Sequence, residues 1–237
     1  MKTDTDISAL LAGNPYPGRG IVVGQSADGQ SAVFAYFIMG RSANSRNRVL
    51  CREGDSLYTR PFDESKVKDP SLIIYRAARW VRGGVVVTNG DQTDTICEAA
   101  AKGIGFEAAL ATRTYEPDAP NYTPRISAML RIAEGGFGYD MSILRRDAAT
   151  GDCRRDCWRY AACPGVGHLV HTYQTDGEPL PAFEGEPCAL ALPNDARTLA
   201  DRVWQALDED NKIALYVCYI DLASGAVDDV LYNKYEK

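Results

Sequence analysis

The sequence predicts an α+β protein in which two mostly antiparallel β-sheets pack face to face, with helices on their outer faces. Short apolar runs separated by Gly, Asn and Asp turns occur in blocks, which is typical of hairpins. The helical segments are too few to separate every strand, which argues against a doubly wound parallel sheet. The 237 residues, 45% of them hydrophobic, are enough to bury such a core. With no internal repeat or linker, we expect one domain over residues 1–237.

The first half of the chain predicts hairpins followed by a pair of helices. A short helix at 4–12 is capped by Thr or Asp and ends before Asn14-Pro15. Strands are predicted at 20–24, from the turn 27–30 up to Met39, and at 49–52, 56–62, 72–77 and 85–88. Apolar residues at helical spacing predict a helix from Asp91 or Thr93 to Ile104, and a second helix follows at 106–113.

The second half returns to strands and contains one late helix. Strands are predicted at 125–132, 138–145, 168–174, 213–220 and 227–232. The helix begins at Asn194-Asp195 and ends at Leu207, with its apolar residues on one face. Residues 115–124 and 177–187 are loops by composition. Residues 147–167, which contain Cys153, Cys157 and Cys163, are expected to form an irregular Cys-rich insertion.

Composition excludes several classes of protein. A net charge of −6 argues against a nucleic-acid or membrane-surface protein, because sequence-independent phosphate binding needs a basic face. Seven cysteines, an odd and scattered set, favour reduced thiols over a disulfide framework. The N-terminal residues lack the apolar core of a signal peptide, and no run reaches transmembrane length. We therefore expect a cytoplasmic protein.

The most informative stretch is Y-F-I-M-G-R-S-A-N-S-R-N-R, residues 36–48. An apolar run stops at Gly40, and Arg41, Arg46 and Arg48 follow within eight residues. Turn backbone groups and planar guanidinium donors suit a phosphate or carboxylate, so an anion site for a phosphorylated small molecule is predicted. A solvated basic loop is the alternative. Arg19, flanked by two glycines, is a candidate to join this site, although a simple turn explains it equally well.

Three further groups of polar residues are candidates for function. Residues 88–94 lie at a strand-to-helix junction whose free N–H groups suit an anion, although ordinary helix capping is an alternative. Glu116 lies beside tyrosines and would serve as a general acid or base if partly buried, whereas loop carboxylates are commonly solvated. Zinc is disfavoured for the cysteines of 153–163 with His168 and His171, because paired C-x2-C motifs are lacking.

Five stretches together resemble the archaeal-type inosine monophosphate (IMP) cyclohydrolase family and its bacterial relatives. They are Y-P-G-R-G-I-V-V-G (16–24), G-R-S-x-x-S-R-N-R (40–48), T-N-G-D-Q-T-D-T-I (88–96), Y-E-P-D-A-P-N-Y-T-P-R-I (115–126) and H-T-Y-x-x-D-G-E-P-L-P-x-F-E-G-E-P (171–187). The chain departs from the short archaeal form in the fifteen residues before Tyr16 and in the Cys-rich segment. The resemblance implies a four-layer αββα sandwich like that of N-terminal-nucleophile hydrolases.

The resemblance also implies an activity and a substrate. The enzyme would be a hydrolase of the class acting on C–N bonds in cyclic amidines. It would close the ring of 5-formamido-imidazole-4-carboxamide ribonucleotide, with loss of water, to give IMP, and it would need no metal or cofactor. Its binding partner would be its substrate, a purine nucleotide. Assembly into a homo-oligomer is left open. Two alternatives remain: an amide hydrolase of the same fold with an internal nucleophile such as Cys51, and a non-catalytic purine-nucleotide-binding protein.

Residue roles follow from the same resemblance. Tyr75 would place its hydroxyl near the formyl group, and Glu116 would transfer protons. Four arginines would divide between the 5′-phosphate and the transition-state oxygen: Arg41 is assigned to catalysis, and Arg19, Arg46 and Arg48 to substrate binding. The remaining substrate-binding candidates are Ser42, Asn89, Gly90, Thr93 and Arg125. Arg125 is also expected to pair with Glu116 and hold its pKa down, which conflicts with Glu116 as an acid at neutral pH.

Overall fold

The computed structural model describes residues 5–67, 74–133 and 136–235. Its strands are β1 Arg19–Gln25, β2 Ser31–Met39, β3 Val49–Glu53, β4 Ser56–Arg60, β5 Arg76–Val81, β6 Gly84–Thr88, β7 Arg125–Ala133, β8 Gly136–Arg146, β9 Cys153–Ala161, β10 Val166–His171, β11 Cys188–Ala191, β12 Lys212–Asp221 and β13 Val227–Asn233. Its helices are α1 Ile7–Leu11, α2 Ala43–Arg46, α3 Gln92–Ala101, α4 Phe106–Leu110 and α5 Ala196–Ala206, with one 3₁₀ turn at Glu64–Lys66.

The strands form two sheets. The six-stranded sheet has the order β11-β10-β1-β2-β12-β13, and the seven-stranded sheet has the order β3-β4-β5-β6-β7-β8-β9. Within each sheet the neighbouring strands pair antiparallel. The predicted α+β class with two antiparallel sheets and few helices is therefore confirmed.

Alternation along the strands separates the core into layers. Residues such as Phe34 of the six-stranded sheet and Val87 of the seven-stranded sheet belong to one buried cluster, so the sheets face each other. Helices α1 and α5 pack on the other face of the six-stranded sheet through residues such as Leu199. Helices α3 and α4 cover the seven-stranded sheet through residues such as Phe106. This arrangement is compatible with a layered sandwich.

The prediction that residues 147–167 are irregular is wrong. Strand β9 occupies most of this segment and pairs with β8 from Arg146↔Cys153 to Gly138↔Ala161. It is an edge strand, and charged residues commonly protect such edges from pairing with another chain. Because many residues of β9 are charged, its sequence lacks the apolar alternation that predicts a strand. Trp158 and Tyr160 nevertheless pack against the core between the sheets.

Smaller differences concern element ends. Strand β5 begins at Arg76 and continues to Val81, beyond the predicted 72–77, of which 72–73 lie outside the described residues. Strand β11 had no sequence prediction. Helix α3 ends at Ala101 because Gly103, with φ of +73°, takes the left-handed conformation that terminates helices. Helix α4 stops at Leu110 rather than residue 113.

All seven cysteines carry free thiols, in agreement with the predicted reduced state. Burial raises the pKa of Cys97 and of Cys157 to about 11, which makes both poor nucleophiles. Across the described ranges, no helix has the length and apolar character needed to span a membrane. The same residues contain no group of three or more His, Cys, Asp and Glu side chains that would hold a metal ion.

Two histidines, His171 buried and His168 half-buried, predict a loss of stability in acid. Burial lowers the pKa of His168 and of His171 to about 4, from a usual value near 6.5. Below pH 6.5 these histidines bind protons in the unfolded chain but stay neutral in the folded chain. The free energy of unfolding therefore falls as the pH drops toward 4. For His171, which is 7% exposed, the expected loss between pH 7 and pH 5 is about 2 kcal/mol.

Urea unfolding at the two pH values measures this loss. His171 Nδ1 donates to the Tyr173 carbonyl at 2.8 Å, and His171→Asn retains a donor for that carbonyl without the titration. The variant is expected to lose less stability between pH 7 and pH 5 than the wild type. Equal losses in the two proteins would contradict the assignment.

Candidate active site between the two sheets

A cavity of about 180 Å³ lies beside the start of β1 and the turn that follows β2. The residues that line it come from the segment before β1 and its first residue, from the turn and short helix between β2 and β3, and from the loops 116–123 and 173–180. They are Tyr16, Arg19, Arg41, Ser42, Asn44, Ser45, Arg48, Glu116, Asp118, Asn121, Thr123, Tyr173 and Leu180. Three of the five stretches that carried the resemblance contribute side chains that the sequence had proposed for the site.

Arg19 supplies a half-buried positive charge. It shares the face of β1 that carries Ile21 and Val23, so it lies between the sheets. Its Nε is buried and has no hydrogen-bond partner among the described residues. Burial alone would lower the pKa of Arg19, but the surrounding tyrosines and Glu116 outweigh it and raise the pKa above its usual value. Arg19 therefore presents a charged group with an unused donor.

Arg48 adds a second charge close to the first. It directly precedes β3 and is 3% exposed. Burial lowers the pKa of Arg48, and the positive charge of Arg19 lowers it further. Two like charges in a poorly solvated site repel each other, so the pair favours an anion or a developing negative charge beside it.

Glu116 is the carboxylate that faces these arginines. Its side chain is 12% exposed, and burial raises its pKa although Arg19 and Arg125 act in the opposite direction. Gly90 leaves room for the side chains of Arg125 and Glu116 beside its backbone. A Cβ at this position would lie 2.6 Å from Arg125 Nη1 and 3.3 Å from Glu116 Oε1. A carboxyl group with a raised pKa is suited to giving and taking protons near neutral pH.

Tyr75 reaches the same region from the seven-stranded sheet, immediately before β5. It is 7% exposed, and its electrostatic interactions include Arg19 and Arg48. Its hydroxyl lies 2.8 Å from the hydroxyl of Tyr36 on β2. Sequence reasoning missed Tyr36 as a functional residue because it stands within an apolar run. Its inward position, in alternation with Phe34 and Ile38, was the available signal.

A hydroxyl network that the sequence did not indicate fixes the loop carrying Glu116. The Thr123 backbone N–H donates to Asp118 Oδ1 at 2.6 Å, and the Thr123 hydroxyl also bonds to Asp118. That hydroxyl lies 2.6 Å from the Tyr173 hydroxyl, and the Tyr173 ring stacks on Tyr16 at 5.8 Å. The network joins the loop after α4 to the residues that follow β10.

The three arginines of the turn after β2 point in different directions. Arg41 lies at the rim, over the ring of Tyr16, and pairs with Asp176 and with Glu178 Oε1 at 3.2 Å. Arg46 turns away from the cavity and donates to the Gly40 carbonyl at 3.0 Å and to Asn211 Oδ1 at 3.2 Å. Only Arg48 is buried inside.

Ser42 lines the cavity but also has a structural role. Its hydroxyl accepts from the Ser45 backbone N–H at 3.1 Å and closes a capping box on α2. Gly40 is required in this turn, because a Cβ there would lie 2.8 Å from the carbonyl carbon and oxygen of Ser45. The turn is therefore defined by its own hydrogen bonds and shape.

Asn89 and Thr93 do not line the cavity. The Asn89 side chain donates to the Pro124 carbonyl at 2.9 Å and accepts from the Ile126 backbone N–H at 2.9 Å. Thr93 donates to the Arg76 carbonyl at 2.6 Å. Both residues are at most 2% exposed. They secure the start of α3 against the sheet, which differs from their predicted contact with substrate.

Arg125 pairs only distantly with Glu116. The closest approach is 3.9 Å, whereas Arg125 Nη1 lies 2.7 Å from both Asp91 Oδ1 and Gln92 Oε1. Ile126 faces the core between the sheets, so strand alternation turns Arg125 toward the start of α3. Asp91 forms these ion pairs and makes no side-chain cap bond for α3. Arg125 lowers the pKa of Glu116 as expected, but burial outweighs it and the net direction is upward.

Comparison with known proteins places this geometry in a family. Residues 16–225 match the family model described as IMP cyclohydrolase-like protein. The chain belongs to this family. The matched range contains the whole cavity, from Tyr16 to Leu180.

Archaeal relatives share this similarity over most of the chain. The IMP cyclohydrolase of Methanopyrus kandleri is 36% identical over 205 residues, which cover 76% of this chain and 95% of the relative. That of Methanothrix thermoacetophila is 33% identical over 176 residues, covering 72% and 80%. That of Methanococcus aeolicus is 31% identical over 128 residues, covering 52% and 62%. The resemblance of the five sequence stretches is confirmed.

Proposed function

We propose that this protein is an IMP cyclohydrolase that closes the ring of 5-formamido-imidazole-4-carboxamide ribonucleotide, with loss of water, to give IMP. The observation that carries the proposal is the group formed by Arg19, Arg48, Glu116 and Tyr75. Two cations and a carboxyl group with a raised pKa line one small cavity. The phenol of Tyr75 lies outside that lining but interacts electrostatically with both arginines. The activity named for the family's archaeal relatives needs groups of these kinds.

Ring closure needs no covalent bond to the protein. The carboxamide nitrogen attacks the formyl carbon of the same molecule. The carboxamide nitrogen and the formamide nitrogen each give up one proton, and the formyl oxygen takes up two protons in all and leaves as water. The protein must hold the two arms in reacting geometry, which is the largest saving available to an intramolecular reaction. It must also stabilise the negative charge that develops on the formyl oxygen. Arg19 and Arg48 supply that stabilisation.

Glu116 and Tyr75 handle the protons. We assign Tyr75 as the donor to the formyl oxygen during attack and Glu116 as the group that exchanges protons with the amide nitrogen and the departing hydroxyl. Burial raises the pKa of Glu116, which favours a carboxyl group that gives and takes protons during the reaction. A pure binding protein would not require a carboxyl group in this state.

The 5′-phosphate is assigned to the rim, at Arg41 and Ser42. The cavity of about 180 Å³ accommodates the reacting part of the substrate, and the ribose and phosphate extend outward past the turn after β2. Arg41 is partly exposed there and is held by two carboxylates, Asp176 and Glu178. A phosphate would exchange these carboxylates for its own oxygens.

Removing the competing carboxylates is expected to strengthen nucleotide binding. The double variant Asp176→Asn/Glu178→Gln frees Arg41, and the Kd for IMP should fall by about threefold or more, whereas Arg41→Ala should raise it by about tenfold or more. Isothermal calorimetry measures both. Asp201→Asn, an exposed site on α5, is the matched control for charge. An unchanged Kd in both variants would remove Arg41 from the phosphate site.

The two alternatives have less support. Cys51 does not line the cavity, and the hydroxyls of Ser42 and Thr123 are engaged in the hydrogen bonds described above. Mass spectrometry of the product distinguishes the hypotheses. Cyclised IMP supports the proposal, a released carboxylic acid supports an amide hydrolase, and unchanged substrate with tight IMP binding supports a non-catalytic binder. Alkylation of Cys51 should leave IMP formation intact.

Three broader expectations complete the proposal. The layered sheets are assigned the αββα arrangement of N-terminal-nucleophile hydrolases. Catalysis is expected to proceed without metal or cofactor, so chelators should leave the rate unchanged. The cytoplasm is the expected compartment, supported by the free thiols of all seven cysteines.

A further inference from the structure

We propose that Tyr36 is a positioning residue that orients the Tyr75 hydroxyl and strengthens it as a hydrogen-bond donor, an inference that rests on the ring-closure function proposed above. Tyr36 is fully buried on β2, and its hydroxyl lies 2.8 Å from that of Tyr75. Neither Tyr36 nor Tyr75 belongs to the cavity lining, but Tyr75 interacts with Arg19 and Arg48, which do. Tyr36 is therefore assigned an action through Tyr75 and not on the substrate itself.

The surroundings of the two phenols bear on the direction of this hydrogen bond. The Tyr36 ring lies among apolar core residues such as Phe34 and Ile38. In the described part of the chain, the Tyr75 oxygen is the acceptor within reach of the Tyr36 hydroxyl. A buried O–H that fails to donate costs about 1–3 kcal/mol. Either hydroxyl can donate across this contact, and Tyr36 is assigned as the donor, which leaves the Tyr75 proton for the substrate.

The electrostatic environment keeps Tyr36 protonated, as a donor must be. Burial raises the pKa of Tyr36 well above its ordinary value, and Tyr75 raises it further, although Arg19 and Arg48 act in the opposite direction. Tyr36 thus stays a protonated donor at neutral pH. Donation to the Tyr75 oxygen polarises the Tyr75 O–H bond, because hydrogen bonds in a chain strengthen one another.

The backbone holds Tyr36 rigidly enough for this task. Strand β2 is an interior strand, and Tyr36 pairs with Ile21 on one side and Tyr216 on the other. Tyr75 directly precedes β5 of the other sheet. Its backbone is tied to Thr59, whose hydroxyl accepts from the Tyr75 N–H at 3.1 Å. The central strand of one sheet thereby fixes a hydroxyl that belongs to the other sheet.

The test is a double-mutant cycle on ring closure with Tyr36→Phe and Tyr75→Phe. Tyr36→Phe is expected to lower kcat about tenfold while KM and the Kd for IMP change less than about twofold, since Tyr36 does not touch the substrate. Adding Tyr36→Phe to Tyr75→Phe should lower kcat no further. Tyr219→Phe is the matched control, because its buried hydroxyl donates to the Pro193 carbonyl at 3.0 Å away from the cavity. It should leave kcat unchanged in both backgrounds.

The outcomes are distinct. The inference would be overturned if Tyr36→Phe had the kcat of the wild type. It would also be overturned if Tyr36→Phe lowered kcat by the same factor with and without the Tyr75 hydroxyl. Either result would leave the proposed function standing. No turnover by the wild type would overturn both. If Tyr36→Phe does not fold, a fluorinated tyrosine at position 36 retains the hydroxyl and makes it more acidic. That protein should change kcat by about twofold or more, and an unchanged kcat would overturn the inference.

Discussion

Replacing Glu116 by glutamine is expected to lower kcat for ring closure by about 10²-fold or more, because the amide cannot exchange protons with the substrate. Glutamine keeps the size and polarity of the side chain, so the Kd for IMP should change by less than about threefold. Initial rates and calorimetry on the same preparation separate the two effects. The loss should therefore appear in kcat.

Glu107→Gln on α4 is the control, since that glutamate is exposed and does not line the cavity. It should retain wild-type kcat and Kd. The pH profile gives a second check. Burial raises the pKa of Glu116, so the wild type should show a titration in kcat above the usual carboxyl range, and Glu116→Gln should lack it. A Glu116→Gln protein with wild-type kcat would exclude Glu116 from the proton transfer.

Replacing Arg19 by methionine is expected to weaken IMP binding by about tenfold or more and to raise the pKa of Glu116 further. Arg19 is the strongest charge that opposes the effect of burial on Glu116, so its removal leaves the carboxyl group protonated to a higher pH. Methionine fills a similar volume between the sheets without the charge. Calorimetry gives the affinity, and NMR titration of the labelled glutamate carboxyl carbon gives the pKa.

Arg197→Met on α5 is the control for loss of a positive charge, because that side chain is 70% exposed. It should alter neither quantity. An Arg19→Met protein with unchanged affinity would mean that the Arg19 charge has no role in nucleotide binding. An unchanged Glu116 pKa would mean that the two groups do not interact as their burial implies.

The sequence predicted the composition of the site better than its orientation. Arg41, Arg46 and Arg48 were grouped by their spacing, yet only two of them line the cavity. The intervening helix α2 rotates successive side chains by about 100° each, so neighbouring arginines diverge. Spacing alone cannot give their directions, because these depend on partners as distant in sequence as Asp176 and Asn211.

Strand alternation, by contrast, indicates which face of a strand each side chain occupies, although it was not applied to every candidate residue. It places Arg19 and Tyr36 between the sheets, and it places Arg125 on the opposite face from Ile126. Two features could not be found this way. The charged edge strand β9 lacks a clear alternating pattern, and the contact between Tyr36 and Tyr75 exists only because two separate sheets meet.

The most direct test of the proposed activity is the initial rate of IMP formation from the formylated ribonucleotide, followed by absorbance in the presence of a chelator. The wild type is expected to turn over repeatedly, Glu107→Gln to match it, and Glu116→Gln to be slower by about 10²-fold or more. No turnover by folded wild-type protein that binds IMP would contradict the proposal and leave a nucleotide-binding protein in its place.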